Sequence, residues 1–418
     1  MGLLFSSVKE PNCMRWTHTA ILLILAGGLV GCNDALESVD PRIAANKVHQ
    51  PLPPRILNEM KKKGMPRNSP IAFRIFKEEG ILEVWKAKAD NRFEKIVEYE
   101  ICAWSGRLGP KFKEGDRQAP EGFYPLSQHH LNPNSKYFLA INTGYPNRFD
   151  QANGRTGTHL MIHGACSSSG CYSMTDAQML EIYAFARDAF AGGQQNIQLQ
   201  AFPFRMTAEN MARHRHSPHI EFWQNLKVGY DNFEVTKRPP EVNVCDRRYV
   251  FNMQAAEGKS FVPTAACPPM SKPPALEMAL ASYNKAYDAA YEKALKKYDG
   301  KIWIDPTEAE RKALVADLRK SRAHDLAFAP TGSALKAGRL ARLEDVQNGS
   351  ASAAVSEMAA PAANETTNNQ SAPAANTNAT VAAAGQSAPI PQPNPMNTAQ
   401  NQQGEAQTAE KKPFWKIW

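Results

Sequence analysis

The stretch His163-Gly164-Ala165-Cys166-Ser167-Ser168-Ser169-Gly170-Cys171-Tyr172-Ser173-Met174 concentrates the reactive side chains of this chain. A thiol attacks carbonyl carbon only once it has lost its proton, and a neighbouring imidazole is the usual group that takes it. His163 closes a predicted strand, a loop of small residues follows, and Cys171 sits between a glycine and an aromatic. The pattern fits acyl transfer through a cysteine thioester, with Gly170 leaving its own N–H and that of Cys171 free to face a developing oxyanion. With His163 as the base, the ionisation of Cys171 is expected to lie below that of a free thiol. Other readings of the same residues are a packed structural thiol, a zinc site built on His163, Cys166 and Cys171 without an evident fourth ligand, and a reversible Cys166–Cys171 disulfide.

Elements that could hold this pair are legible on either side. Ile81–Trp85, Ile96–Trp104, Tyr137–Asn142, Thr158–His163 and Ile197–Phe202 alternate as half-buried strands do. Thr175 and Gln178 form a capping box ahead of Met179, Ile182, Tyr183, Ala186 and Phe190, which recur at helical spacing until Gly192-Gly193. Loops rich in Gly, Pro and Asn separate the strands, which favours a mixed sheet or barrel over a doubly wound sheet. The expected fold class is α+β: a mostly-β catalytic domain over residues 67–272 with a few helices. Beyond it, Leu276, Leu280, Tyr283, Tyr287 and Tyr291 mark one apolar helical face in an extension over residues 273–335, paired with a second helix near Glu308–Lys320. Residues 336–418, dominated by Ala, Asn, Gln, Pro, Ser and Thr, read as a disordered tail ending in the basic, aromatic Lys411–Trp418.

Residues 163–174 resemble the signature of L,D-transpeptidase catalytic (YkuD-like) domains, and still more their YafK-like branch, where Gly-Cys-Tyr-x-Met-Thr-Asp follows a short loop. The resemblance extends to Ala119–Tyr124, Phe202–Met206, Phe222–Lys227 and Val244–Tyr249. It implies that Cys171 is the acylating nucleophile, His163 its base, the Gly164 carbonyl the group orienting the imidazole, and the Gly170 and Cys171 N–H groups the oxyanion hole. Ser168, Ser169 and Tyr172 are expected on the substrate side, with Glu121 and Tyr124 shaping the sheet and the acceptor cleft. Ser169 stands where the general family has histidine, Ser173 where arginine or asparagine is common, and the His163–Cys171 separation of eight is short. The implied reaction is attack at the L-centre of diaminopimelate in peptidoglycan stem peptides, with an amine as acceptor. The alternatives are hydrolysis that releases a wall-linked lipoprotein, and a non-catalytic peptidoglycan-binding module. No cofactor or metal is implied.

The remaining features concern compartment. Ala20–Val30 is an eleven-residue apolar run after Arg15, too short to span a bilayer and matched to a signal-peptide core. Leu29-Val30-Gly31-Cys32 resembles a lipobox, so residues 1–32 are expected to be a signal peptide with lipidation at Cys32, and residues 33–66 a tether. Asn33 after the cysteine resembles the outer-membrane sorting pattern, giving a periplasmic protein anchored in the inner leaflet of the outer membrane. In that oxidising setting Cys245 and Cys267 are expected to pair, whereas Cys102 reads as a packed small hydrophobe. His214, His216 and His219 read as a solvated loop or helix start rather than a metal site. The chain has 418 residues, 43% hydrophobic and 22% charged, with a net charge of +8. That surplus suits carboxylate-rich substrates. With no zinc-finger spacing and no phosphate-binding loop, no nucleic-acid partner is expected.

Overall fold

The computed structural model describes residues 40–348 except 167, 169, 308, 311, 312 and 314–337. The signal segment, Cys32, most of the expected second helix near Glu308–Lys320 and everything from residue 349 lie outside the described residues.

Two five-stranded mixed sheets form the body. The first is ordered β3-β2-β1-β10-β5, from β1 (Ile71–Phe76), β2 (Ile81–Ala87), β3 (Phe93–Glu100), β5 (Gly122–Leu126) and β10 (Ile197–Phe202). The second is ordered β4-β9-β8-β7-β6, from β4 (Ala103–Trp104), β6 (Leu131–Asn132), β7 (Ala140–Asn142), β8 (Met161–His163) and β9 (Tyr172–Ser173). Each sheet has one parallel pair, β1–β10 and β8–β9. Helix α4 (Asp176–Ala191) connects β9 of one sheet to β10 of the other. Its Met179, Ile182, Tyr183, Ala186 stripe is buried. Thr175 caps it as the sequence suggests, its hydroxyl accepting from the Gln178 N–H at 3.2 Å while Gln178 returns a bond to the Thr175 N–H at 2.9 Å.

Several expected elements are shorter or start elsewhere, for local reasons. Tyr137–Asn142 yields only β7 and Thr158–His163 only β8, because Phe138 (φ 66°) and His159 (φ 55°) adopt left-handed backbone that breaks a ladder. β1 escapes an alternation search because all six of its residues are buried. Arg74 at its middle is tolerated there by an ion pair with Glu234 at 2.7 Å and by the Phe233 ring 4.3 Å away. The tether expected up to residue 66 is already folded from Leu52. Ile56 and Met60, one helical turn apart on a short helix (Pro54–Lys62), are buried in the main core together with Leu52 and Met65.

On the C-terminal side the helix Pro274–Lys297 presents Tyr287 to Lys227, whose ammonium lies 3.4 Å from the ring centroid. Strand Lys301–Ile304 pairs with Arg339–Arg342, so ordered backbone continues past residue 336, where the expected tail begins. His214 is not solvated. It is buried, bonds Glu78 at 3.0 Å and stacks on Phe204 at 4.6 Å.

Cys245 and Cys267 form one disulfide, and a second joins Cys102 to Cys166. The latter corrects two expectations. Cys102 is not a lone packed hydrophobe, and Cys166 is committed to it rather than to Cys171, which is the free cysteine of the described residues. Because the Cys102–Cys166 bond closes a loop with a sequence separation of 64, replacing both cysteines by serine should cost about 3–4 kcal/mol. Denaturant titration against the wild type reads that loss.

Candidate active site

β8 and β9 run parallel with His163 opposite Ser173 and Ile162 opposite Tyr172. Cys171 lies in the bend immediately before β9, two residues ahead of Ser173. The parallel β8–β9 pair brings the chain segment that carries Cys171 alongside the strand that ends in His163. Cys171 is half-buried and His163 buried.

The imidazole is fixed by its own neighbours. His163 Nδ1 lies 2.6 Å from the Gly164 carbonyl oxygen. A carbonyl only accepts, so Nδ1 carries the proton and Nε2 is left as the basic nitrogen. Burial pushes the His163 pKa below its ordinary value, against the Gly164 bond and the Asp176 carboxylate, which raise it. The ring is therefore neutral at neutral pH. Gly164 is itself held by N–H bonds to the Tyr137 and Leu139 carbonyls, both at 3.1 Å. A side chain at Gly164 would overlap the Asp176 carboxylate and crowd the Tyr137 carbonyl at 3.0 Å. Gly164→Ala should therefore displace the carbonyl that orients His163, and a shift on the order of 1 Å at such a group costs about 100-fold in kcat/KM. Steady-state turnover checks this, with far-UV circular dichroism showing that the fold persists.

The loop between the two residues is pinned at several points. Ala165 (φ 62°) and Cys166 (φ 44°) turn in left-handed backbone. The Ala165 N–H donates to Asp176 Oδ1 at 2.8 Å and the Cys166 N–H to the Met174 carbonyl at 3.2 Å. Cys102, whose N–H donates to the Ser173 carbonyl at 2.8 Å, ties the same loop to the strand on the far side of β9. Gly170 has φ +116°, which an L side chain rarely adopts, and a Cβ there would approach Leu160 Cδ2 at 3.3 Å.

The thiol differs from expectation. Cys171 Sγ donates to the His159 carbonyl at 3.7 Å, and burial raises its pKa above the ordinary thiol value. The Met161 N–H and the Lys111 ammonium only partly oppose that rise. Lys111 is buried, bonded to the Lys113 carbonyl at 2.8 Å and to Asp116. The resting pair is thus thiol and neutral imidazole, not the thiolate with a lowered pKa that a cysteine beside histidine suggests. Alkylation of Cys171 by iodoacetamide at pH 7 should be slower than that of free cysteine, measured by mass spectrometry over time.

The expected substrate-facing residues divide. Ser168 donates from Oγ to the Cys171 carbonyl at 2.6 Å, so its hydroxyl shapes the loop. Ser169 lies outside the described residues. Tyr172, Glu121 and Tyr124 are in the core and offer no face to a dissolved substrate. The Tyr172 hydroxyl donates to the Pro120 carbonyl at 2.6 Å and the Tyr124 hydroxyl to the Glu121 carbonyl at 3.0 Å. Glu121 accepts from Lys77 at 2.9 Å, from the Gly109 N–H at 2.7 Å and from Trp223 at 2.9 Å. Residues that the sequence did not single out surround the pair instead: Tyr137, His159, Lys111 and Asp176. Asp176 alone had a visible signal, as the first helical residue after the Thr175 cap.

Residues 88–192, which contain both His163 and Cys171, match the YkuD family model, the L,D-transpeptidase catalytic domain. "Putative L,D-transpeptidase YafK" of Escherichia coli K12 is 47% identical over 182 residues, 44% of this chain and 74% of that protein. The protein of the same name from Escherichia coli O157:H7 matches with the same identity and coverage. Among solved structures, the helical cell shape determining protein Pgp2 from Campylobacter jejuni overlaps with a TM-score of 0.27 at 18% identity, covering 56% of this chain and 77% of that one. On the strength of the family match and of an identity that runs through three quarters of YafK, this chain belongs to the L,D-transpeptidase (YkuD) family.

Proposed function

We propose that this protein is a cysteine acyltransferase of peptidoglycan, acting at the L-centre of diaminopimelate in stem peptides. The reading is carried by the free Cys171 just ahead of β9, alongside the strand that ends in a neutral His163 whose Nδ1 is tied to the Gly164 carbonyl, leaving Nε2 to accept a proton. As Sγ closes on the substrate carbonyl, its proton passes to Nε2 and the new C–S bond forms. The Gly170 and Cys171 N–H groups receive the oxyanion. Collapse breaks the amide C–N bond, and the imidazolium returns the proton to the leaving amine. An acceptor amine then attacks the thioester by the reverse sequence, which restores the thiol.

Two disulfides among the described residues support an oxidising compartment, in line with a periplasmic protein lipid-anchored through Cys32. Incubation with a purified disaccharide-tetrapeptide, followed by intact-mass measurement, tests the chemistry. The expected result is an acyl adduct that peptide mapping locates on Cys171. Binding with neither adduct nor turnover would instead leave a peptidoglycan-binding module.

A further inference from the structure

The residue exposed directly over the candidate base is Tyr137. Its ring centroid lies 4.6 Å from that of His163 with 31° between the planes. The imidazole is 2% exposed, whereas Tyr137 is 48% exposed, so solvent on this side meets the phenol ring in place of the base. The ring is not a loose surface side chain. The Tyr137 carbonyl accepts the Gly164 N–H at 3.1 Å, its own N–H donates to Ser135 Oγ at 3.0 Å, and Lys47 clamps the next carbonyl, that of Phe138, at 2.5 Å. Phe138 then turns in left-handed backbone, and this bend sets Tyr137 over the end of β8.

We propose that Tyr137 is a positioning residue that caps the His163 imidazole and, by keeping bulk water from it, sets how the acyl-thioenzyme divides between an amine and water. This rests on the acyl-thioenzyme reading above. On the amine route the nitrogen lone pair adds to the thioester carbonyl and a proton passes from nitrogen to His163 Nε2. The C–S bond then breaks with its electron pair on sulfur, and the imidazolium returns the proton to give the thiol and a new amide. Water follows the same path and leaves a carboxylic acid. Both acceptors need Nε2, but they reach it differently. Water arrives by diffusion through whatever solvent touches the ring. An acceptor amine arrives on a larger peptide that can lie against the exposed face of the phenol, so the same ring hinders one route and accommodates the other.

Among the described residues, the titratable groups around His163 are Asp176 at the start of α4, Cys171 ahead of β9 and Tyr137 itself, with Lys47 one residue further on the Phe138 carbonyl. None of these except Tyr137 changes in the test. Because the Gly164 bond uses the Tyr137 backbone, it survives a side-chain substitution. Tyr137→Ala removes the ring and Tyr137→Phe keeps it.

With disaccharide-tetrapeptide as both acyl donor and peptide-borne amine acceptor, Tyr137→Ala should raise the ratio of hydrolysis to transfer by roughly tenfold, the scale of one lost apolar contact. Tyr137→Phe should restore the wild-type ratio. In parallel, the titration of His163 is followed by proton NMR on its ring C–H, assigned by its disappearance in His163→Gln. Hydrating the ring in Tyr137→Ala should move that titration up toward the ordinary histidine value, and Tyr137→Phe should leave it in place. An unchanged ratio or an unchanged titration in Tyr137→Ala overturns the proposal, as does a phenylalanine variant that behaves like alanine. If the wild type forms no acyl adduct, the functional reading has failed instead, and the NMR titration alone still decides whether Tyr137 shields the imidazole.

Discussion

Cys171→Ala should abolish the acyl adduct and lower turnover of stem peptides by at least about 10⁴-fold, and His163→Gln should lower it by roughly 10²–10⁴-fold, the range of a positioned general base. Neither change should greatly alter thermal stability. The Cys171 thiol is half-buried and bonds only weakly to its backbone neighbours, and glutamine can still donate near the Gly164 carbonyl. The pH profile separates the two variants further. His163 must be neutral to take the thiol proton, and its pKa is held below the ordinary histidine value by burial. In the wild type kcat/KM should therefore fall only as pH drops through that lowered value, and stay level through pH 7. Cys171, with its pKa raised by burial, contributes almost no thiolate there. In His163→Gln the break at that lowered histidine value and the plateau above it should vanish, and the residual rate should climb with pH all the way toward the raised thiol ionisation, because only the spontaneous thiolate remains to attack. A break at the same pH followed by a plateau through pH 7 in His163→Gln would assign the base to another residue.

How far that site could be read without coordinates depended on the range of the interactions that build it. His163, Gly164, Gly170 and Cys171 occupy eight steps of chain, so spacing alone suggested their convergence. The Thr175 cap and the α4 stripe are equally local. The Cys102–Cys166 bond is not, since its partners are 64 residues apart and Cys102 sits in a strand-like pattern. The raised thiol pKa was also hidden, because it follows from burial, which the Met161 N–H and the Lys111 ammonium do not overcome. Glu121 and Tyr124 lie in a stretch that resembles the family, which suggested that they shape the sheet and the acceptor cleft. Lys77 just after β1, the Glu121 carbonyl and Trp223 on α6 (Ile220–Thr236) make them part of the interior. A shared motif marks what must be kept, and it does not distinguish a group that touches substrate from one that holds the wall of the site.

Lys77 and Glu121 are the clearest case of the second kind, and Lys77→Met should destabilise the fold by about 3–5 kcal/mol. Both side chains are fully removed from solvent and lie 2.9 Å apart. The ammonium also reaches the carbonyls of Arg107 at 2.7 Å, Gly109 at 3.2 Å and Ala119 at 3.0 Å, so one cation gathers both ends of the loop between β4 and β5. Methionine fills the space but leaves the Glu121 carboxylate without its cation and these carbonyls without their donor, which is why the loss exceeds that of an exposed pair. The same loop carries Lys111 toward Cys171 and brings Arg117 to within 3.8 Å of where a Gly170 side chain would stand. Its loosening should therefore also lower turnover under conditions where the variant is still folded. Glu121→Leu combined with Lys77→Met should lose less stability than the sum of the two single changes, because the pair leaves together and no buried charge is stranded. Chemical denaturation of the three variants reads the coupling. Strict additivity would mean that Lys77 acts through the loop carbonyls alone, and Glu121 would then owe its burial to the Gly109 and Trp223 bonds.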